Sequence, residues 1–389
     1  MRLGVAIQSL HRFGGQERSN LEIISRLSQT FPVDVFAYRV QTELEIQPPL
    51  LAKVIRIPFE VRRPAVLRNF IFHVFSLISL RMRSDLLVQA TGTCSLLSQV
   101  VQVQFLHSAW QEVLRRHSGI TEPRGWLRGF YHAILVRYES WLERKVFRKD
   151  KTYIAISHSV ARDLVRLFGG TDVHVIHHGV DSQRFSPISG EAEQARAARI
   201  RSEWGVTQGQ VVFLFVGVLE RKGLEVALRS FALLSSEQRA RSRLVAIGAG
   251  DHKRFVALSE ELGIRSQFTL MGPRRDIAEC FQAADVFLFP TFYEPFGMVI
   301  LEAMATGLPV ITTREAGASE LIEDGVSGLL VSDPSRVEEI RLHMARMIDE
   351  PSARARIGTR ARIIAERRSW DVVAREYSKI LEPLLQRSP

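Results

Sequence analysis

Two carboxylates eight positions apart, Glu294 and Glu302, stand in the segment DVFLFPTFYEPFGMVILEAMATGLPVI (285–311). The apolar run ending at Pro290 reads as a strand, the following residues as a loop holding Glu294, and Gly297 as the residue that opens a helix containing Glu302. The backbone N–H groups of Gly297, Met298 and Val299 lack intrahelical acceptors, and the positive helix end favours an anion there, phosphate oxygens above all. A carboxylate at Glu302, inside that helix, can accept hydrogen bonds from two vicinal hydroxyls, as on a ribose. Glu294, on the loop, can do the same for a sugar. Carboxylates near a helix start can also serve only to stabilise its dipole, and the pair alone leaves both readings open. His107 follows the apolar run VVQVQFL, which directs it beyond the end of a strand. An isolated histidine in such a place is as compatible with a structural role as with a chemical one.

The elements that must carry these residues are short aliphatic strands alternating with helical patterns. LGVAIQ, VDVFAY, KVIRI, LLVQA, VVQVQFL, TYIAIS and VHVI occupy the first half, and VVFLFVG, RLVAIG, QFTLMG, DVFLFP, LPVIT and GLLV the second. Such alternation is the signature of parallel strands with crossover helices. A polar stretch restarts the pattern, so the fold class is α/β with two Rossmann-like domains. The boundary lies between Asp181 and Gly190, giving 1–182 together with a returning C-terminal helix (370–389), and 183–369. Two such halves, face to face, offer a cleft bounded by strand-to-helix loops. Several of these loops are glycine-rich: Gly14-Gly15, Gly217 and Gly223 around Arg221-Lys222, Gly248 and Gly250, Gly297, and Gly317.

Composition narrows the partners. The 389 residues carry 52 Lys+Arg against 42 Asp+Glu, a net +10. Counting either side of Val180 places 24 basic and 14 acidic residues in 1–180, and 28 of each in the remainder, so the first half holds the whole excess. That asymmetry points to an anionic partner for the first half, or to a merely soluble Arg-rich surface. Basic and aromatic residues concentrate in 62–83 and 124–149. In the second stretch Trp126, Phe130, Ile134, Tyr138, Leu142 and Val146 recur every four residues, an amphipathic pattern suited to an anionic lipid interface or to packing on a sheet. Two cysteines, Cys94 and Cys280, without metal-ligand spacing, fit a reducing cytoplasm and no disulfide framework. The N-terminal apolar run is too short for a signal peptide, and the 12-residue uncharged stretch Asn69–Leu80 is too short to span a bilayer.

The pattern E-x7-E inside EPFG-x4-E, followed by A-x-A-x-G-x-P-V, resembles the signature of the retaining GT-B glycosyltransferases (family 4, or group 1) that use nucleotide-sugar donors. VFLFVGVLERKG resembles that family's strand-loop with a basic pair for the donor diphosphate, here Arg221 and Lys222. FTLMGPRRDIAECFQAADVFLFP, with Gly272 and Arg274, is similar to its base-contacting stretch. In the first half FGGQER resembles the glycine loop facing the donor, and VQFLHSAW the strand end that bears a family histidine. The ordered matches run from residue 3 to about residue 375. The resemblance implies Arg221, Lys222 and the Gly297–Val299 amides on the diphosphate, Glu302 on the ribose, and Glu294 and His107 on the transferred sugar. It also brings Gly14, Gly15, Gly217 and Phe296 to the donor, with no cofactor and no metal. No Asp-x-Asp occurs anywhere in the chain. A UDP-sugar is the expected donor, with GDP and ADP as alternatives.

One departure concerns the loop after Gly217, where the family's usual Arg is replaced by Val218 and the loop is one residue shorter. Arg221 then takes that role. FGGQER and the adjacent Arg-Lys resemble the lipopolysaccharide-core glucosyltransferase branch, which implies a glycolipid or cell-envelope acceptor and a cytoplasmic enzyme peripheral to the anionic inner-membrane face. Gly248-Ala-Gly250 lacks the third glycine of a dinucleotide fingerprint, and Ser157-His158-Ser159 lacks a nucleophile elbow, Ser157 reading instead as a helix cap. A GT-B epimerase or phosphorylase and a non-catalytic membrane-surface protein remain the alternatives. No specific nucleic-acid motif is present.

Overall fold

The computed structural model describes residues 1–11, 14–40, 48–61, 64–116 and 126–387. Phe13 of the FGGQER loop, Arg62 and Arg63, and residues 124 and 125 of the second basic stretch lie outside the described residues. The chain divides into two compact units, Met1–His178 with Trp370–Pro389, and Gly179–Ser369.

Unit one runs β1 (Arg2–Ala6), β2 (Ser9–Leu10), α1 (Gly15–Thr30), β3 (Val33–Ala37), β4 (Arg39–Val40), β5 (Lys53–Arg56) and α2 (Ala65–Arg81). It continues through β6 (Leu86–Thr91), β7 (Val100–Val103), α3 (His107–Arg116), α4 (Trp126–Val146), β8 (Thr152–Ala155), α5 (His158–Phe168) and β9 (Asp172–Val175). Unit two holds α6 (Glu191–Glu203), β10 (Val211–Val216), α7 (Leu224–Ala232), α8 (Ser236–Ala240), β11 (Ser242–Ile247), α9 (His252–Glu261) and β12 (Phe268–Met271). After these come α10 (Ile277–Gln282), β13 (Val286–Phe289), α11 (Met298–Ala305), β14 (Val310–Thr313), β15 (Leu329–Val331), α12 (Val337–Asp349) and α13 (Pro351–Glu366), and α14 (Trp370–Arg387) closes unit one.

Each unit is a parallel sheet, ordered β5-β3-β1-β6-β7-β8-β9 in the first and β12-β11-β10-β13-β14-β15 in the second. The central strands are continuous apolar runs buried on both faces, VVFLFV in β10 and VFLF in β13 for example, as helix-covered parallel sheets require. Strand order reverses between β1 and β6 in unit one and between β10 and β13 in unit two. At such a reversal the loops leaving neighbouring strands diverge and open a crevice beyond the carboxyl ends. Helix starts follow local chemistry: Ser157 caps α5 by accepting from the Val160 amide at 3.2 Å. The C-terminal α14 is tied to unit one where Gln102 Nε2 donates to Tyr377 Oη at 2.8 Å, and Arg26 pairs with Asp371.

The described part of the second basic stretch is helical, as α4, but its four-residue stripe does not form one buried face. Leu142 and Val146 are buried, whereas Phe130 is 65% exposed and Ile134 42%. The reason is geometric: each four-residue step in a helix of 3.6 residues per turn advances about 40°, so Phe130 and Val146 lie roughly 160° apart. The inner face instead carries Glu139 and Glu143 beside Leu142 and Val146.

Helix α13 lies against α11 through Gly358, where an added Cβ would overlap the Gly307 carbonyl oxygen. Alanine normally stabilises a helix interior by about 1 kcal/mol over glycine, but forcing a methyl into closed packing costs about 1–3 kcal/mol. Gly358→Ala is therefore expected to lower the unfolding free energy in urea titrations, and a gain of stability would contradict this packing.

Candidate active site

The reversal between β10 and β13 places two loops side by side, Gly217–Gly223 and Pro290–Gly297. Gly223 makes the approach possible: its φ is +85°, and a Cβ there would collide with the Pro290 carbonyl oxygen. Against that contact Lys222 is buried to 6% exposure. Its ammonium donates to the Glu294 carboxylate and lies 5.8 Å from the centre of the Phe289 ring. Burial pulls the Lys222 pKa below the ordinary range; Glu294 opposes the shift and the neighbouring Arg221 adds to it. Arg221 is half-buried, and its Nε is a buried donor with no hydrogen-bond partner among the described residues. A guanidinium N–H in that state calls for an acceptor, and an anion in the crevice would supply one.

The Glu294 loop is pinned by backbone hydrogen bonds to residues 315–318. The Glu294 amide donates to the Glu315 carbonyl at 3.2 Å, its carbonyl accepts from Gly317 at 2.9 Å, and the Phe296 carbonyl accepts from Ala318 at 2.7 Å. Gly297, at φ +96°, is the N-cap of α11 and packs on Glu294, with no side chain capping the helix start. Met298 and Val299 form the first turn, and Glu302 lies a little over one turn further on, 3% exposed. Gly217 backs onto the Lys222 stem. The structure thus brings Gly217, Lys222, Glu294 and Gly297 into one packed group, with Arg221 next to it in the chain. Gly272 sits exposed after β12, and the Arg274 guanidinium is held by Asp276 (2.9 Å) and Glu203 (3.0 Å), which push its pKa up. Arg274 is therefore engaged with protein carboxylates.

In unit one Gly14 takes φ +86° at the start of α1, and both Gly14 and Gly15 are exposed. His107 is the first residue of α3. Its amide donates to Glu143 Oε1 at 2.5 Å, while the Ser108 amide and hydroxyl donate to Glu143 Oε2 at 3.0 and 2.5 Å. The fully buried Glu143, from α4, thus caps α3 and holds His107 from below. The imidazole Nδ1 is 3.4 Å from the same carboxylate without an aligned hydrogen bond. Burial lowers the His107 pKa, but Glu143 and Glu139 outweigh it and the net shift is upward. Sequence reasoning missed Glu143. The available signal was the i,i+4 acidic pair Glu139/Glu143 on a helix whose other charges are mostly basic.

Two Rossmann-like units, with a basic pair and a glycine-opened helix at the reversal point of the second, define a GT-B-fold protein. Family models match consecutively along the chain, "Glycosyltransferase Family 4" over residues 13–184 and "Glycosyl transferases group 1" over residues 197–363. The chain belongs to this glycosyltransferase family. Among curated relatives, the D-inositol 3-phosphate glycosyltransferase of Corynebacterium kroppenstedtii is 32% identical over 229 residues, 56% of this chain and 49% of the relative. The lipopolysaccharide glucosyltransferase WaaG of Escherichia coli is 28% identical over 255 residues, 61% of this chain and 65% of the relative. These alignments span about half to two thirds of the relatives' length. The crystal structure of WaaG superposes with a TM-score of 0.78 at 21% identity, covering 97% of this chain and 99% of that one. Anabaena HepE in complex with UDP and glucose gives 0.71 at 20% identity, covering 98% and 100%.

The Glu143 contact is testable without any substrate. Because the folded-state pKa of His107 is raised, protonation of the imidazole favours the fold; that contribution is complete below the unfolded pKa and disappears as pH rises through the folded one. Replacing the carboxylate by Glu143→Gln leaves burial unopposed by that charge. The His107 pKa, read from an NMR titration of the imidazole, is expected to fall in the variant, and an unchanged value would remove Glu143 as its cause.

Proposed function

We propose that the chain is a retaining, metal-independent hexosyltransferase that moves a sugar from a nucleotide diphosphate, UDP by preference, to a glycolipid or cell-envelope polysaccharide. The observation that carries this reading is the buried Lys222–Glu294 pair beside the orphaned Arg221 Nε, at the strand-order reversal of a family 4 chain. The relative HepE, solved with UDP and glucose, supports a UDP-sugar donor, and WaaG supports a lipopolysaccharide acceptor.

Glycosyl transfer breaks the bond from C1 to the leaving phosphate oxygen, which keeps the electron pair while positive charge develops on the sugar. Arg221, Lys222 and the free amides of Met298 and Val299 stabilise the departing phosphate. Burial lowers the Lys222 pKa, and an arriving diphosphate holds that lysine protonated. Glu302 accepts the ribose hydroxyls, Glu294 a sugar hydroxyl, and His107 contacts the transferred sugar. Attack by the acceptor hydroxyl from the leaving-group face, with its proton passing to the phosphate, retains the anomeric configuration.

Loss of one such preorganised cation costs about 3 kcal/mol of transition-state stabilisation, roughly a hundredfold in rate. Lys222→Met is expected to lower kcat by that order with activity persisting in EDTA, and a chelator-sensitive wild type would remove the metal-independent mechanism. The first measurement is calorimetric titration with UDP, GDP and ADP, wild type beside Glu302→Ala. Micromolar to low-millimolar binding of one nucleotide, lost in the variant, is expected. No binding of any nucleotide by the wild type would overturn the reading.

The basic half supports recruitment to an anionic bilayer on its cytoplasmic face. No helix among the described residues is long and apolar enough to cross a membrane, but α2 and α4 expose Phe70, Ile78, Phe130 and Ile134 among basic residues. Binding to phosphatidylglycerol vesicles, weak with phosphatidylcholine alone, is expected to fall with salt and with Lys145/Arg148/Lys149→Glu. Equal binding to both lipids would contradict it.

A further inference from the structure

Helices α3 and α4 bound a groove of about 620 Å³ within unit one, a volume suited to a small polar ligand. One wall is a stripe of α3 at Ser108, Gln111, Glu112 and Arg115, the other a stripe of α4 at Arg137, Ser140, Trp141 and Arg144. Both follow the i, i+3, i+4, i+7 spacing that keeps four side chains on one helix face. Apart from Trp141 and the neighbouring Val136 on the α4 side, the lining of the hollow is polar, where a packed helix pair would present apolar stripes. The Glu143 carboxylate fixes their relation by anchoring Ser108 to α4.

Among the described residues the hollow is lined by more positive than negative charge. Its single acid, Glu112, receives both terminal nitrogens of Arg166 at 3.0 and 2.9 Å, and its pKa lies below the ordinary range because of that pair. Arg115, Arg137 and Arg144 have no carboxylate partner among the described residues. Three guanidiniums of like charge around one concavity repel one another unless an anion sits between them, and guanidinium forks match phosphate oxygens two at a time. Ser140 adds a hydroxyl to the lining, that of Ser108 being donated to Glu143, and the half-exposed Trp141 offers a flat apolar face to the C–H side of a sugar ring. A convex or flat surface would suit a bilayer; a groove with three arginines in its lining suits a discrete phosphate group.

We propose that this groove is the anion-recognising part of the acceptor site, taking a phosphomonoester on a sugar or polyol, with Arg115, Arg137 and Arg144 on the phosphate and Trp141 under the ring. It begins at Ser108, the residue after His107, so a ligand held there lies next to the side chain placed at the transferred sugar. The assignment rests on the glycosyltransferase reading and adds the chemistry of the acceptor to it. The phosphomonoester can belong to a free sugar phosphate or to the head of a lipid-linked one.

The test titrates full-length protein with inorganic phosphate, glucose 6-phosphate and glucose at physiological ionic strength, wild type beside Arg115→Ala/Arg137→Ala. Circular dichroism and thermal unfolding report whether the variant is folded, and UDP titration keeps the two readings apart. A second arm uses phosphatidylcholine vesicles carrying either phosphatidic acid, a phosphomonoester, or phosphatidylglycerol, a phosphodiester. The expected result is binding of the phosphates but not of glucose, weakened at least tenfold in the variant with UDP binding unchanged. Preference for phosphatidic acid vesicles over free glucose 6-phosphate, lost in the variant, would assign the same groove to a lipid-borne phosphate. Failure of every phosphate probe, equal binding by wild type and variant, or loss in the variant of phosphatidylglycerol binding alone would overturn the proposal. If UDP still bound in any of these cases, the glycosyltransferase reading would stand without it; phosphate binding without nucleotide binding would leave the groove and remove the reading.

Discussion

An ammonium group buried to the depth of Lys222 can persist only where a neighbouring negative charge offsets lost hydration, and much of unit two's local structure is arranged around that requirement. Glu294 provides the charge, but it comes from a loop 72 residues further along the chain. The two residues meet because the sheet reverses its order between β10 and β13, which lays their loops next to each other. Closeness at that point requires Gly223, since any Cβ would hold the Pro290 backbone away. The backbone bonds from Glu294 and Phe296 to residues 315–318 then fix the loop, so that the carboxylate does not have to be ordered by its lysine alone. Removing either charge would leave its partner uncompensated in a poorly solvated place, a larger penalty than the pair's own stabilisation.

Much of this framework was legible in the amino-acid pattern. Continuous apolar runs announced buried parallel strands; the strand–loop–helix order of 285–305 followed from Pro290 and Gly297; and His107 was placed just beyond a strand. Ser157 was readable as a cap because capping is local chemistry. What escaped was whatever depended on contacts between distant residues. The Lys222–Glu294 pair is one case, since nothing in either loop specifies the other. Glu143 is another: a glutamate in a strongly basic helix looks solvated until the amides at the start of α3 are seen to meet it. The engagement of Arg274 with Asp276 and Glu203 is a third, half local and half set by the packing of α6.

The misread face of α4 shows a different limit. A four-residue repeat resembles a stripe over two turns but winds away over five, so the aromatic residues of the first half of the helix and the aliphatic ones of its second half serve different neighbours. Leu142 and Val146 belong to the interior, with Glu139 and Glu143 beside them. Phe130 and Ile134 emerge on the outside. One helix therefore carries both a polar anchor for α3 and an exposed apolar edge, and only the turn-by-turn drift of the sequence permits the two together.

That arrangement bears on the charge of the whole unit. Of the acidic residues in 1–180, Asp34 is buried between Arg2 and Arg83, Glu139 is buried with Asn69 donating to it, and Glu143 is buried against backbone amides. Carboxylates used inside the fold do not screen basic residues outside it, particularly when, as with Glu143, their partners are neutral N–H and O–H groups. Part of the surplus counted from composition stands exposed on α3 and α4, at Arg115, Arg137, Arg144 and Lys145. A charge of one sign gathered on two neighbouring helices raises the local concentration of anionic ligands and orients their approach. The interior carboxylate that caps α3 and the exposed arginines of α3 and α4 are thus two outcomes of one distribution of charge.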